Sequence, residues 1–172
     1  AQMNYWPTLQ ANLASCHEPL LRLIWELAES GRETARKWYG APGTVAHHNT
    51  DLWRMSTPVG ASIVGCGLYA CWNFSMPWLC QHLWDHYQFT GDDAFLRETA
   101  FPIMEETAAF CLSQLTENEQ GKLIFAPATS PENEYLLEGK VIALSQYSAM
   151  NQALMQELFS NLLQAANVLG SS

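Results

Sequence analysis

Pro77-Trp78-Leu79-Cys80-Gln81-His82-Leu83-Trp84-Asp85-His86-Tyr87 is the stretch whose reading decides the fold. Its apolar residues Trp78, Leu79, Leu83, Trp84 and Tyr87 follow helical spacing, and no alternation of period two runs through it. Pro77 suits a first helical turn, where its missing N–H is not needed, and Thr90-Gly91 supplies a stop. The pattern predicts a helix from Pro77 to about Thr90.

The same logic extends in both directions. Toward the C-terminus, Asp92 or Asp93 caps a short helix, Ala94 to Glu98. Pro102 opens another that runs to about Leu115 through Ile103, Met104, Ala108, Phe110 and Leu112. Ser148 caps a last helix, Ala149 to Leu169, closed by Gly170. Toward the N-terminus, Leu9, Leu13, Leu20, Leu21, Ile24, Leu27 and Ala28 predict a helix from about Thr8 to Ser30, re-started at Pro19 and ending before Gly31. Glu33 to Tyr39 continues it briefly, and Gly40 to Gly43 is a turn. Leu123-Ile124-Phe125 reads as a short extended piece. The fold class is all-α, with helices in antiparallel pairs joined by long polar and aromatic loops.

Composition narrows the partners. In 172 residues, 48% are hydrophobic and 15% charged, a balance for one domain, or part of one, with much buried surface. A net charge of −9 argues against a nucleic-acid backbone as partner. No apolar run is long enough to span a membrane, and no basic-then-apolar leader opens the chain, so the compartment stays open. The five cysteines include no C-x-x-C pair and are odd in number, which predicts buried free thiols without a disulfide framework.

Three features carry candidate chemistry. Val45 to Trp53 has no apolar helical face and many side-chain donors and acceptors, so it is a loop. With the loop aromatics Tyr5, Trp6 and Trp53, and with Trp72 in the small, glycine-rich stretch Ser56 to Phe74, it offers aromatic faces beside polar groups, as a sugar ring requires. Core packing is the alternative for these aromatics, and it is the expectation for Trp25, Trp78 and Trp84 within helix patterns. His82 and His86 stand at metal-ligand spacing, but Leu83 follows the first His where a zincin has Glu, and no third ligand declares itself. Hydrogen bonding within a helix interface is the expectation, with no metal and no cofactor. Finally, Glu132 sits in Pro127 to Tyr135, a loop stiffened by Pro131. It reads either as a solvated loop carboxylate or as a rigidly held general acid.

Taken together, Met3 to Pro7 (MNYWP), His17 to Leu20 (HEPL), Val45 to Trp53 (VAHHNTDLW), Trp78 to Tyr87 (WLCQHLWDHY) and Thr129 to Asn133 (TSPEN) resemble family 95 glycoside hydrolases in order and approximate spacing. These are α-L-fucosidases acting mainly on α-1,2-linked fucose, some members preferring α-L-galactosides. The resemblance runs from Met3 to Leu169. It implies an (α/α)6 barrel, of which residues 1–172 are roughly the first half, truncated at both ends and partnered by the remainder of its own barrel. It implies hydrolysis of fucosylated oligosaccharides or glycans with inversion, Glu132 as general acid, and no cofactor. The water-activating groups, an N-x-N asparagine pair before Met3 and a downstream aspartate, fall outside the chain. His47, His48, Asn49 and Asp51 are implied to line the sugar pocket, and Trp53, Trp72 and Asn133 complete the expected binding set. The chain departs from the usual pattern at Thr44, where a Trp is common, at Phe74 to Pro77, and at Ala149-Met150-Asn151, where Thr-Met-Asp is common. A non-catalytic helical sugar-binding or structural module is the alternative; it has no use for an acid at Glu132.

Overall fold

A computed structural model of the chain describes residues 2–60, 67–131, 133–146 and 148–170. The expected helix is α3, Ser75–Thr90. It buries Met76, Leu79, Cys80, Leu83 and Trp84 and packs against the three other long helices. Gly91, at φ +65°, ends it by donating its N–H to Tyr87 O at 2.7 Å.

The first long helix differs from expectation at both ends. α1 spans Glu18–Thr34 and continues as a π-helical turn, Ala35–Tyr39. Residues 6–12 form turns instead, and Gln2–Tyr5 and Ala14–Cys16 are short 3-10 segments. Asn12 takes a left-handed φ of +58°, which no right-handed helix accommodates, so helical growth waits for Pro19 at the first turn of α1. Gly31 does not stop the helix. It lies inside it because Thr44 and Val45 cross at that point, where a Cβ would come within 2.2 Å of Thr44 Oγ1. The glycine answers to packing, not to termination. Trp25 lies off the Leu20–Ile24–Leu27 face and is 45% exposed, against the core expectation. Trp84 is buried as expected, and Trp78 is half-buried.

After the short α2, Gly67–Ala70, and after α3, the chain was expected to break at Pro102. It runs on instead. Asp92 Oδ1 caps α4, Asp93–Phe95, by accepting from Phe95 N at 2.9 Å. A π-helical turn, Leu96–Ala100, then leads directly into α5, Phe101–Ser113. Phe101 N–H reaches back to Leu96 O across the π turn, and Pro102 occupies the first turn of α5. α6, Ala149–Leu169, has the expected cap: Ser148 Oγ accepts from Asn151 N. It packs on α3 and α5, completing one core.

The chain is helix-rich, but between α5 and α6 it forms hairpins. β1, Leu115–Glu117, pairs with β2, Leu123–Phe125, the extended piece anticipated above. β3, Ala128–Thr129, pairs with β6, Leu144–Ser145, and encloses the hairpin of β4, Tyr135–Leu137, and β5, Lys140–Ile142. Glu138 and Gly139, both at positive φ, make its two-residue turn. Strands of two or three residues are too short to show alternation.

Cys16, Cys71, Cys80 and Cys111 are free thiols, as expected, but Cys16 and Cys71 are exposed. Cys66 lies outside the described residues. No helix among the described residues is long and apolar enough to cross a membrane.

Candidate active site

The loop that begins at Thr44 is fixed from three sides. Thr44 N donates to Glu106 O on α5 at 3.3 Å, and Thr44 Oγ1 donates to Ala28 O on α1 at 2.8 Å. Gly43, at φ +76°, lies so close to α5 that a Cβ would be 2.0 Å from Glu106 O. Ser75, at the start of α3, donates to His47 O at 2.7 Å. His47 is 2% exposed. Its Nδ1 lies 2.7 Å from Ser56 O, an acceptor only, so Nδ1 carries the proton. Nε2 then accepts from the Tyr39 hydroxyl at 2.6 Å. Burial holds the His47 pKa below its ordinary value, so the ring is neutral and both nitrogens are engaged by protein.

From this root the chain lines a cavity of about 450 Å³, within the usual range for small-molecule sites. His47, His48, Asn49 and Thr50 form one wall and Trp72 and Trp78 another. Leu20, Leu23 and Leu27 of α1 give the apolar floor, while Gln2, Tyr5 and Ser75 add polar groups. The half-buried His48 ring sits edge-on to Trp72, centroids 6.1 Å apart, and tilts on Tyr69 at 5.5 Å. Aromatic faces and polar groups at one cavity suit a pyranose, whose ring has an apolar face and a hydroxyl rim. Tyr5 was among the loop aromatics read from the sequence, whereas Gln2 and Ser75 were not singled out and only the tertiary fold brings them here.

The other expected residues lie elsewhere. Asp51 Oδ1 accepts from Trp53 N at 2.9 Å and Met55 N at 3.0 Å, an Asx turn that shapes the loop tip. Arg54 closes that tip at φ +61° and ties it to α1, its Nε and a terminal nitrogen both 2.7 Å from Glu26 Oε2. Hydrogen bonds from Arg22, then from Arg54, hold Glu26 below the ordinary carboxylate range. Asp51 and Trp53 are outside the cavity lining, Trp53 at 87% exposure. Asn133 folds back on its own loop: its N–H donates to Ser130 O at 3.1 Å and Nδ2 to Pro131 O at 3.2 Å. Glu132 lies outside the described residues.

A buried bridge joins the cavity to that loop. Trp72, 4% exposed, donates Nε1–H to Asn151 Oδ1 at 2.8 Å. Asn151, 2% exposed, donates Nδ2–H to Thr129 O at 3.4 Å. The one sequence signal for Asn151 was its departure from the Thr-Met-Asp pattern.

His82 and His86 meet His17, whose ring centroid is 5.4 Å from the first and 5.6 Å from the second. His82 Nε2 contacts the Gln2 side chain, and neither ring nitrogen of the fully buried His17 has a partner among the described residues. No group of three or more metal-ligating side chains among the described residues is arranged to hold an ion. Burial, then His82 and His86, lowers the His17 pKa from 6.5 to about 4. Burial also lowers His82, and it lowers His86 against the opposing charges of Asp92 and Glu18. A depressed histidine pKa gives stability that is complete above pH 6.5 and is lost as pH falls toward 4. Urea unfolding of the intact protein is therefore expected to lose on the order of 2–3 kcal/mol over that window through His17. His17→Gln should flatten this slope, and an unchanged slope in the variant would refute the assignment.

The Glycosyl hydrolase family 95 catalytic domain matches residues 1–172. The chain belongs to that family. It is 37% identical to Alpha-L-fucosidase 2 of Arabidopsis thaliana over 172 residues, covering 99% of this chain and 20% of the relative. It is 33% identical to Probable alpha-fucosidase A of Aspergillus niger over 174 residues, covering 98% of this chain and 21% of the relative. The chain thus spans about a fifth of the length of these relatives.

Proposed function

We propose that the protein to which this chain belongs hydrolyses terminal α-L-fucosidic bonds, α-1,2-linked, in fucosylated oligosaccharides or glycans. The observation that carries this reading is the coincidence of the family match with the aromatic and polar cavity at residues 47–50 and Trp72. Residues 1–172 then form roughly the first half of an (α/α)6 catalytic barrel, completed by the remainder of the chain.

Glu132 is the general acid, protonating the departing glycosidic oxygen. An inverting reaction also needs a base across the sugar ring with room for a water between. That base comes from outside residues 1–172, so this stretch alone releases no sugar. His48, Asn49 and Trp72 hold the fucosyl ring, and His47 shapes the wall through its two protein hydrogen bonds. Asp51, Trp53 and Asn133 act at the rim of the site, Asp51 by holding the loop tip in shape.

The test is proton NMR of a 2-fucosylated oligosaccharide digested by the intact protein. The first fucose released is expected as the β-anomer. First release of the α-anomer would exclude inversion, and no release would exclude the activity.

A further inference from the structure

We propose that Asn151 is a positioning residue for the general acid, coupling the loop that carries Glu132 to the sugar-facing Trp72. This deepens the reading above and rests on it.

The chemistry of the two partners limits what can stand between them. An indole N–H only donates and a backbone carbonyl only accepts. The side chain between Trp72 Nε1 and Thr129 O must therefore present an acceptor to one and a donor to the other. An asparagine amide does both at once, and these two partners fix which end is oxygen. The backbone of Asn151 is held as well, its N–H pointing to Ser148 Oγ at 3.4 Å at the start of α6. The amide is thus anchored to a helix end, buried, and aimed at two different elements.

What it joins matters. Trp72 lines the cavity and packs edge-on to His48 and to Trp78, centroids 6.0 Å apart for the second pair. Thr129 is the last residue of β3, and the Ser130 carbonyl just after it accepts from Asn133 N. The entry to the Glu132 loop is therefore referenced to a wall of the cavity through one side chain. A general acid works only within hydrogen-bond reach of the oxygen it protonates, so such a reference bears on proton transfer more than on sugar affinity.

An aspartate at this position behaves differently. Its carboxylate accepts from Trp72 but opposes the Thr129 carbonyl with a second acceptor. Only the protonated acid restores the donor, and burial favours that neutral form.

The experiment uses the intact protein with two variants and two substrates, a 2-fucosylated oligosaccharide and α-L-fucosyl fluoride. Asn151→Leu is expected to lower kcat on the oligosaccharide about ten- to a hundred-fold with KM nearly unchanged, and to spare the fluoride, whose departure needs little protonation. Asn151→Asp is expected to approach wild-type kcat on the oligosaccharide at acid pH and to lose it as pH rises. The wild type should show only the basic limb that Glu132 itself sets, and the variant a second loss in addition to it. Equal losses on both substrates, or losses in KM alone, would assign Asn151 a merely structural role and overturn the proposal. Wild-type kinetics in both variants would overturn it too and leave the fucosidase reading standing. If the wild type cleaves neither substrate, the underlying reading fails and the proposal with it. Should Asn151→Leu fail to fold, the pH dependence of Asn151→Asp decides alone.

Discussion

Glu132→Gln in the intact protein is expected to lower kcat on a 2-fucosylated oligosaccharide by about 10²–10⁴-fold while sparing most activity on α-L-fucosyl fluoride. Glutamine keeps the size and one donor of the acid but has no proton to give. A sugar hydroxyl is a poor leaving group and needs that proton as the bond breaks. Fluoride departs with little help. The difference between the two substrates is thus the signature of a lost acid, distinct from lost binding or lost folding. The basic limb of the pH–rate profile should vanish in the same variant, because that limb records deprotonation of the acid. β3 pairs with β6 just before the loop, and Asn133 closes back on Ser130 and Pro131 just after Glu132. Equal loss on both substrates, or no loss on either, would remove Glu132 from the proposed mechanism.

The second large effect concerns Gly43. Gly43→Ala is expected to destabilise the intact protein by about 4 kcal/mol or more, in the range of exceptional single substitutions. Two costs combine. The residue sits at φ +76°, where a Cβ is disfavoured. That Cβ would also lie 2.0 Å from Glu106 O and 2.9 Å from Phe110 N, both backbone atoms of α5 that no rotamer change can move. Gly40 provides the control. Its φ is similar at +61°, but nothing lies within 4 Å of its Cβ position. Gly40→Ala should therefore cost only about 1–2 kcal/mol, from the left-handed backbone alone. Thermal unfolding of both variants separates clash from strain, and similar melting temperatures would show that α5 yields.

Much of the helical framework was legible in the sequence because its signals are local. Pro77 with Gly91, Asp92, and Ser148 with Gly170 mark ends through caps that act within a few residues. Gly31 misled because a glycine needed for close contact looks the same in sequence as one needed for a turn. Asn12 removes the part of the first helix expected before Pro19, and a left-handed asparagine leaves no sequence mark, whereas the re-start expected at Pro19 is where α1 begins. The candidate site was legible by stretch more than by residue. The loop from His47 to Thr50 does line the cavity, but Asp51 is used by its own backbone, a choice that residue type does not reveal. Gln2, Ser75 and Asn151 reach the site or its supports only through tertiary packing.

The crossing of Gly43 to Val45 runs between α1 and α5, with Gly31 on one side and Gly43 on the other. A Cβ at Gly31 would meet Thr44 Oγ1 and the Val45 backbone, and one at Gly43 would meet the α5 backbone, so either would push the crossing off its helix. His47 follows Val45 by two residues, so the root of the cavity loop takes its place from these two contacts. Asn49, Thr50 and the loop tip are exposed and free of that constraint, so a substitution there reshapes the mouth of the cavity and leaves the gap between the helices as it is.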